Sequence, residues 1–221
     1  MYKLFRLQCQ DLLVLADIEY NGMLYASEAA KKEAIDLQAT CDSLVERFHS
    51  LCGVDCVGIT SGDDISAVLY GGIVLEPIKV AVGHYKTGPN KGLVKYKNEA
   101  YEHVFERLVE PLKGTESKKN LAGGKATYSV GEEVLLNLKC KGKAKEIVAI
   151  ILEYRGVEKI RSTYLEGWAN LIVDNCWEGD MIHGNLNQCV AVTGRLSANK
   201  PNVQNANKAV KMFLRSRYET N

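Results

Sequence analysis

The 221-residue chain contains no Cys-x-x-Cys pair, although it has seven cysteines: Cys9, Cys41, Cys52, Cys56, Cys140, Cys176 and Cys189. Cys52 and Cys56 are one helical turn apart, but no second pair and no nearby histidine completes a zinc site. Leu51, Val54 and Val57 beside them point to buried free thiols. An odd cysteine count without a signal peptide indicates a reducing cytoplasm. No apolar run is long enough to span a bilayer, so no membrane partner is expected. The four histidines, His49, His84, His103 and His183, are scattered. No glycine-rich phosphate loop occurs. The adjacent carboxylates Asp63 and Asp64, like Glu132 and Glu133, would point different ways on a helix and fit as first-turn partners of its dipole. No nucleophile–base pair, carboxylate pair or metal cluster stands out, so no catalytic centre and no cofactor are expected on this chain.

Hydrophobic residues make up 46% and charged residues 25%, an ordinary globular balance that can bury a core. The net charge of +1 conceals an uneven distribution. Residues 1–78 hold 5 Lys and Arg against 12 Asp and Glu, a balance of −7, whereas residues 79–145 hold 14 against 7, or +7. Residues 181–218 contain six basic side chains (Arg195, Lys200, Lys208, Lys211, Arg215, Arg217) and no acid. An acidic first third followed by basic segments suggests one side that faces a polyanion.

Periodicity gives two long helices. Residues 2–22 form a helical stripe of Leu4, Phe5, Leu7, Leu12, Leu13, Leu15 and Ile18, closed by Asn21-Gly22. The first long helix runs between a Ser27 cap and a Gly53 stop, with Ala30, Ala34, Leu37, Cys41, Leu44, Val45, Phe48 and Leu51 on one face. The second covers residues 144–167, with Ile147, Val148, Ile151, Tyr154, Val157 and Ile160 on one side. Two such helices pack most simply antiparallel, leaving the basic segment between them at the tip of an arm. Within it, Ser61 caps a short helix, and residues 78–96 read as a hairpin bearing Lys79, Lys86, Lys91, Lys95 and Lys97. Residues 114–129 read as a Gly/Lys/Ser-rich loop, followed by another short helix in SVGEEVLLNL, and residues 181–196 read as strand. The expected class is mainly α with a β part (α+β).

The stretch TGRLSANKPNVQN, residues 193–205, concentrates side-chain amides beside Arg195 and Lys200. Lysines neutralise phosphates, and Ser or Thr hydroxyls at helix starts hold phosphate oxygens. Asn, Gln and Arg can donate to the minor-groove acceptors that every base pair shares. Such a set suits a protein that grips any duplex closely.

TGRLSANKPNVQN resembles the T-G-R-L-S-S-x-x-P-N-L-Q-N motif at the palm entry of family A DNA polymerases, the bacterial DNA polymerase I type. HGNLNQCVAVTGRLS is similar to H-x-x-F-N-Q-x-x-x-x-T-G-R-L-S, and ILEYRGVEKIRSTYLEG to I-L-x-Y-R-x-x-x-K-L-x-S-T-Y-x-x-G, the helix returning from the thumb. LLVLADIEYNGM looks like the segment that follows the family's exonuclease domain. TSGDDISAVLYG stands where N-S-x-x-Q-L-x-x-x-L-F starts a thumb-tip helix in the family, and ATYSVGEEVLLNL where the family has K-T-G-x-S-T-x-x-x-V-L-x-x-L. Departures are Thr60, Leu186, Ala198, Ala206 and Asn207, and none removes a charged contact. The matches span nearly the whole chain, and the lysine-rich insertion looks like the phage branch.

The resemblance implies a linking helix at the palm base over residues 1–26 and a thumb over 27–165 with a basic insertion at about 78–128. The palm would begin over 166–221 with its first antiparallel strands. The family's D-x-S-x-x-E and H-D-E aspartates, its fingers helix and its exonuclease domain have no counterpart here, which implies a non-catalytic piece of a split enzyme or a fragment. By resemblance Arg195 reaches the minor groove at the primer end. Asn202, Gln204, Asn205, Asn187 and Gln188 hold template, primer or minor-groove acceptors. Lys159, Ser162 and Thr163 touch the duplex backbone from the thumb helix. Ser61 and Ser129 take phosphates at helix starts, and Lys118, Lys119 and Lys125 contact phosphates from the tip loop. The partners implied are primer–template DNA, a complementary fragment carrying the palm aspartates with their Mg2+, and an exonuclease fragment, in the cytoplasm of an infected bacterium. A stand-alone DNA-binding module and a non-functional remnant are the alternatives.

Overall fold

A computed structural model of the chain describes residues 2–84, 86–89, 91–120, 126–188 and 190–218. The described fold is α+β, with antiparallel pairing throughout its strands. It divides into two compact units, residues 1–42 with 155–221 and residues 43–154.

In the first unit, α1 (Tyr2–Asn21) ends at Gly22, whose φ of +62° is the left-handed conformation that glycine adopts at a helix stop. Its apolar stripe does not enter the core: Leu4, Phe5, Leu7, Leu12, Leu13, Val14 and Ile18 are exposed and Leu15 alone is buried. β1 (Met23–Tyr25) lies between β6 (Met181–Ile182) and β9 (Leu214–Arg215). The core of this unit packs Tyr25, Ala30, Ala34, Leu165, Trp168, Ala169, Ile172, Ile182, Val210 and Phe213. Ala30 and Ala34 come from α2 (Ser27–Cys52). Higher on the same helix the Cys41 thiol donates to Glu158 Oε2 at 3.6 Å, so the residues that α2 meets run backward in sequence as it advances. That is the expected antiparallel pairing.

Ser27 is the first residue of α2 rather than its cap, and its buried hydroxyl has no hydrogen-bond partner among the described residues. The helix start is instead tied by Ala30 N–H donating to the Ala26 carbonyl at 2.9 Å. Gly53 does end α2, with a φ of +81°.

The buried Tyr25 hydroxyl donates towards the Leu165 carbonyl at 3.2 Å and the Tyr164 carbonyl at 3.3 Å. Burial raises the Tyr25 pKa well above the phenol's usual value. A raised folded-state pKa contributes stability below about pH 10, the unfolded value, which is lost as pH rises from there. Tyr25→Phe is expected to cost about 1 kcal/mol at neutral pH and to remove part of the alkaline destabilisation. Urea titrations at neutral and alkaline pH check both, and an unchanged alkaline limb would contradict the assignment.

The second unit is built around Leu44 and Phe48 of α2, Ile65, Val68 and Leu69 of α3 (Gly62–Tyr70), and Ile147, Ile150 and Ile151 of α5 (Gly142–Glu158). Ser61 caps α3 as expected, accepting from Asp64 N–H at 3.2 Å. β2 (Gly72–His84) and β3 (Val94–Phe105) form a hairpin longer than the pattern suggested, pairing from Gly72↔Phe105 to His84↔Val94.

The segment read as a loop contains two paired strands, β4 (Glu116–Asn120) and β5 (Ala126–Tyr128). Their pairing overrides a composition poor in β-formers. α4 (Glu132–Asn137) follows.

The second long helix is not uniform. α5 gives way to a π-helical segment, Lys159–Glu166, then to α6 (Gly167–Asp174). The wider turn is stabilised by Arg161, which pairs with Glu158 at 2.9 Å and Glu166 at 2.7 Å, and by Ser162 Oγ donating to the Glu158 carbonyl at 2.7 Å. The apolar positions that suggested one continuous helix do not reveal this switch from i→i+4 to i→i+5 hydrogen bonding.

Residues 181–196 are also less regular than expected. β6 and β7 (Asn185–Asn187) are short, and residues 190–196 form turns and irregular backbone. β8 (Ser197–Asn199), inside the polar stretch, pairs with β7.

Candidate nucleic-acid interface

The ribbon of β7 and β8 pairs Asn185↔Asn199, Leu186↔Ala198 and Asn187↔Ser197. Alternation puts Asn185, Asn187, Ser197 and Asn199 on one face and Leu186 and Ala198 on the other. Ala198 is buried, so the amide-bearing face is turned the opposite way. The Leu186 N–H also donates to Glu19 of α1, and His183 Nδ1 lies 2.9 Å from the Glu19 carbonyl, which ties the ribbon to α1. Gln188, Gly194 and Leu196 line a cavity of about 370 Å³ with Gln8, Asp11, Val14 and Leu15.

Arg195 is exposed on irregular backbone just before β8, and among the described residues no carboxylate pairs with it. Beyond β8, a 3-10 turn (Val203–Asn205) begins at Asn202, whose Oδ1 accepts from the Asn205 N–H at 3.3 Å. Its NH2 group is not engaged by that bond and remains a donor. Asn202, Gln204 and Asn205 are exposed, whereas Pro201 and Ala206, at the two ends of the turn, are buried and anchor it.

The Tyr164 hydroxyl donates to the Asn205 carbonyl at 3.1 Å and joins this turn to the π segment. Lys159 and Thr163, exposed on the π segment, and Ser162, half-buried, therefore belong to the same unit as the amides. Ser162 has its single proton committed to the Glu158 carbonyl, so donating to a phosphate would break that bond. Hydrogen bonding to Glu158 leads the causes that hold the Arg161 guanidinium above its usual pKa, so that fixed cation is already neutralised inside the segment. Sequence reasoning did not single out Tyr164, whose partner, the Asn205 carbonyl, lies 41 residues further along the chain.

Ser61, Ser129, Lys118 and Lys119 lie in the second unit. Ser61 accepts from the α3 backbone and keeps its own proton for donation. Ser129 is not at a helix cap: α4 starts after Gly131, and Ser129 Oγ accepts weakly from Gly131 N–H at 3.5 Å. Lys118 and Lys119 are on β4 rather than in a loop, and Lys125 lies outside the described residues.

Magnesium prefers an octahedral shell of oxygens. Among the described residues, the one group of three close metal-ligating side chains is Cys56, Glu76 and His103, which does not fit that ion. The arrangement of the first unit can donate hydrogen bonds and positive charge to a nucleic acid.

The fold resembles that of the POL domain of Pol1 from M. smegmatis, solved in complex with DNA primer-template and dNTP. The TM-score is 0.55 at 16% identity, covering 90% of this chain and 27% of that one. DNA polymerase I of Bacillus subtilis (strain 168) is 40% identical over 193 residues, 87% of this chain and 16% of the relative. DNA polymerase I of Chloroflexus aurantiacus is 28% identical over 201 residues, 91% of this chain and 17% of the relative. The chain thus spans 16–17% of the length of these curated relatives. A family model described as DNA polymerase family A matches residues 95–218. That match takes in the π segment, the amide ribbon, Arg195 and the capped turn, and the chain belongs to DNA polymerase family A.

Proposed function

We propose that the chain is the thumb and palm-entry part of a split phage family A polymerase. It grips primer–template duplex while a separate chain supplies the catalytic aspartates and their Mg2+. An exonuclease fragment would complete the assembly, inside an infected bacterium. The observation that carries this reading is the exposed set of Arg195, Asn202, Gln204 and Asn205, backed by six basic and no acidic residues over 181–218. Uncommitted amide NH2 groups and guanidinium donors fit the acceptors that all base pairs share, so the grip would be independent of sequence.

A covering partner is supported by apolar surface. Leu4, Phe5, Leu12 and Leu13 of α1 are 59%, 62%, 58% and 69% exposed, and Val190 and Val192 are 65% and 106% exposed. Clustered exposure of this kind marks an interaction face.

The decisive experiment is co-expression with a fragment carrying the family's aspartates and fingers helix, then purification and primer extension. Co-purification with extension is expected. Failure of both would overturn the split-subunit reading. The chain alone should bind primer–template with log K falling against log salt at a slope of about −4 to −5, for roughly five phosphate contacts. Salt-dependent binding without partner capture would indicate a stand-alone module, and no binding a remnant.

A further inference from the structure

We propose that Cys56, Glu76 and His103 form a binding site for a thiophilic divalent cation, with Zn2+ the best fit. Their Sγ, carboxylate oxygen and ring nitrogen lie within 4.8 Å of one another, and all three residues are half-buried. They belong to one compact unit. Glu76 is on β2 and His103 on β3. The register pairs Val74 with His103 and Glu76 with Tyr101, which sets Glu76 and His103 diagonally on one face of the hairpin. His103 Nε2 lies 2.8 Å from Glu76 Oε2, and the Tyr101 ring meets the imidazole edge-to-face at 4.8 Å. Two ligand atoms are therefore already side by side on a paired backbone. Cys56 approaches from the turn that follows α2.

The ligand set is specific. One thiolate, one imidazole and one carboxylate leave the fourth tetrahedral position to water, a combination that suits zinc and not magnesium or calcium. Zinc bonds of about 2.0–2.3 Å at tetrahedral angles put ligand atoms about 3.3–3.6 Å apart. The histidine and carboxylate need to part slightly, and the thiol, within 4.8 Å of both, needs to close by no more than about 1 Å, which a turn residue can supply. The Glu76, Asp64 and Asp55 carboxylates all act on the Cys56 sulfur. The same carboxylate field attracts a dication. On coordination the thiol proton leaves to solvent, the Cys56 sulfur bonds the metal as thiolate, and His103 binds through Nε2 with its proton on Nδ1. The ion would fasten the turn after α2 to the root of the lysine-bearing hairpin.

Cobalt titration of the reduced, purified 221-residue chain tests this. One equivalent of Co2+ should give saturable thiolate-to-cobalt charge transfer and the strong visible bands of a four-coordinate ion, and Zn2+ should displace it. Cys56→Ser should abolish the charge-transfer band, and His103→Ala should weaken binding at least about tenfold. Cys52→Ser should change nothing, because Cys52 is not one of the three grouped ligands. Zn2+ should raise the melting temperature of the wild type and not of Cys56→Ser. No saturable band in the wild type would overturn the proposal. So would a band that survives both Cys56→Ser and His103→Ala, or one that disappears with Cys52→Ser.

Discussion

Replacing Arg195 by alanine in the assembled polymerase is expected to lower primer extension about 10–100-fold while changing primer–template affinity less than about threefold. Arg195 is exposed, and no described carboxylate neutralises it, so its donors are free for a ligand. A guanidinium that donates to minor-groove acceptors contributes about 1–3 kcal/mol when the base pair is correctly shaped, and each 1.4 kcal/mol is about tenfold. On the proposed function, overall affinity would be spread across the six basic residues of 181–218, so the loss of one should change it little. The two quantities should therefore separate. Exposed Lys211 provides the contrast: Lys211→Ala should weaken binding evenly across sequences and flatten the salt slope by about 1. Steady-state extension kinetics beside equilibrium binding decide the matter. A parallel fall in both for Arg195→Ala, or a fall in affinity alone, would remove Arg195 from the primer end.

Much of the architecture was legible because it rests on local signals. Ser61 and Gly53 mark the helix ends that they mark in space. The apolar faces of α2 and α5 supply Leu44, Phe48, Ile147 and Ile151 to one core. What escaped depends on partners distant in sequence. α1 shows a helical stripe, yet only Leu15 is buried, because a stripe says that a face is apolar and not what covers it. β4 and β5 read as loop because pairing, not propensity, makes them strands.

The site divides in the same way. Arg195 and the amides stood out from their concentration in one stretch. Cys56, Glu76 and His103 could not, because only the β2–β3 register sets Glu76 beside His103 and only the fold brings Cys56 to them. The absence of a histidine near Cys56 in sequence is no guide to its neighbours in space.

Trp168→Ala should be the most damaging single change in the first unit. Trp168 is 3% exposed and is flanked by Tyr25, with ring centroids 5.8 Å apart, and by Tyr164 at 5.5 Å, both edge-on. Truncating a buried tryptophan costs about 3–5 kcal/mol, and each aromatic pair carries about 0.5–1.5 kcal/mol beyond its burial. Against a typical domain stability of about 5–15 kcal/mol this is a large share, and the melting temperature should fall by roughly 15 °C. The damage reaches the interface because Tyr164 joins the two: its ring rests on Trp168 while its hydroxyl holds the Asn205 carbonyl at 3.1 Å. Tyr164→Phe separates the effects. It keeps the ring and removes one exposed hydrogen bond, so stability should fall by less than about 1 kcal/mol. Primer–template affinity should drop severalfold as the Asn202–Asn205 turn loses its tie to the π segment. Thermal melts and binding isotherms on both variants read the two quantities. A wild-type melt for Trp168→Ala would contradict the core assignment, and unchanged binding by Tyr164→Phe would show that the turn keeps its position without Tyr164.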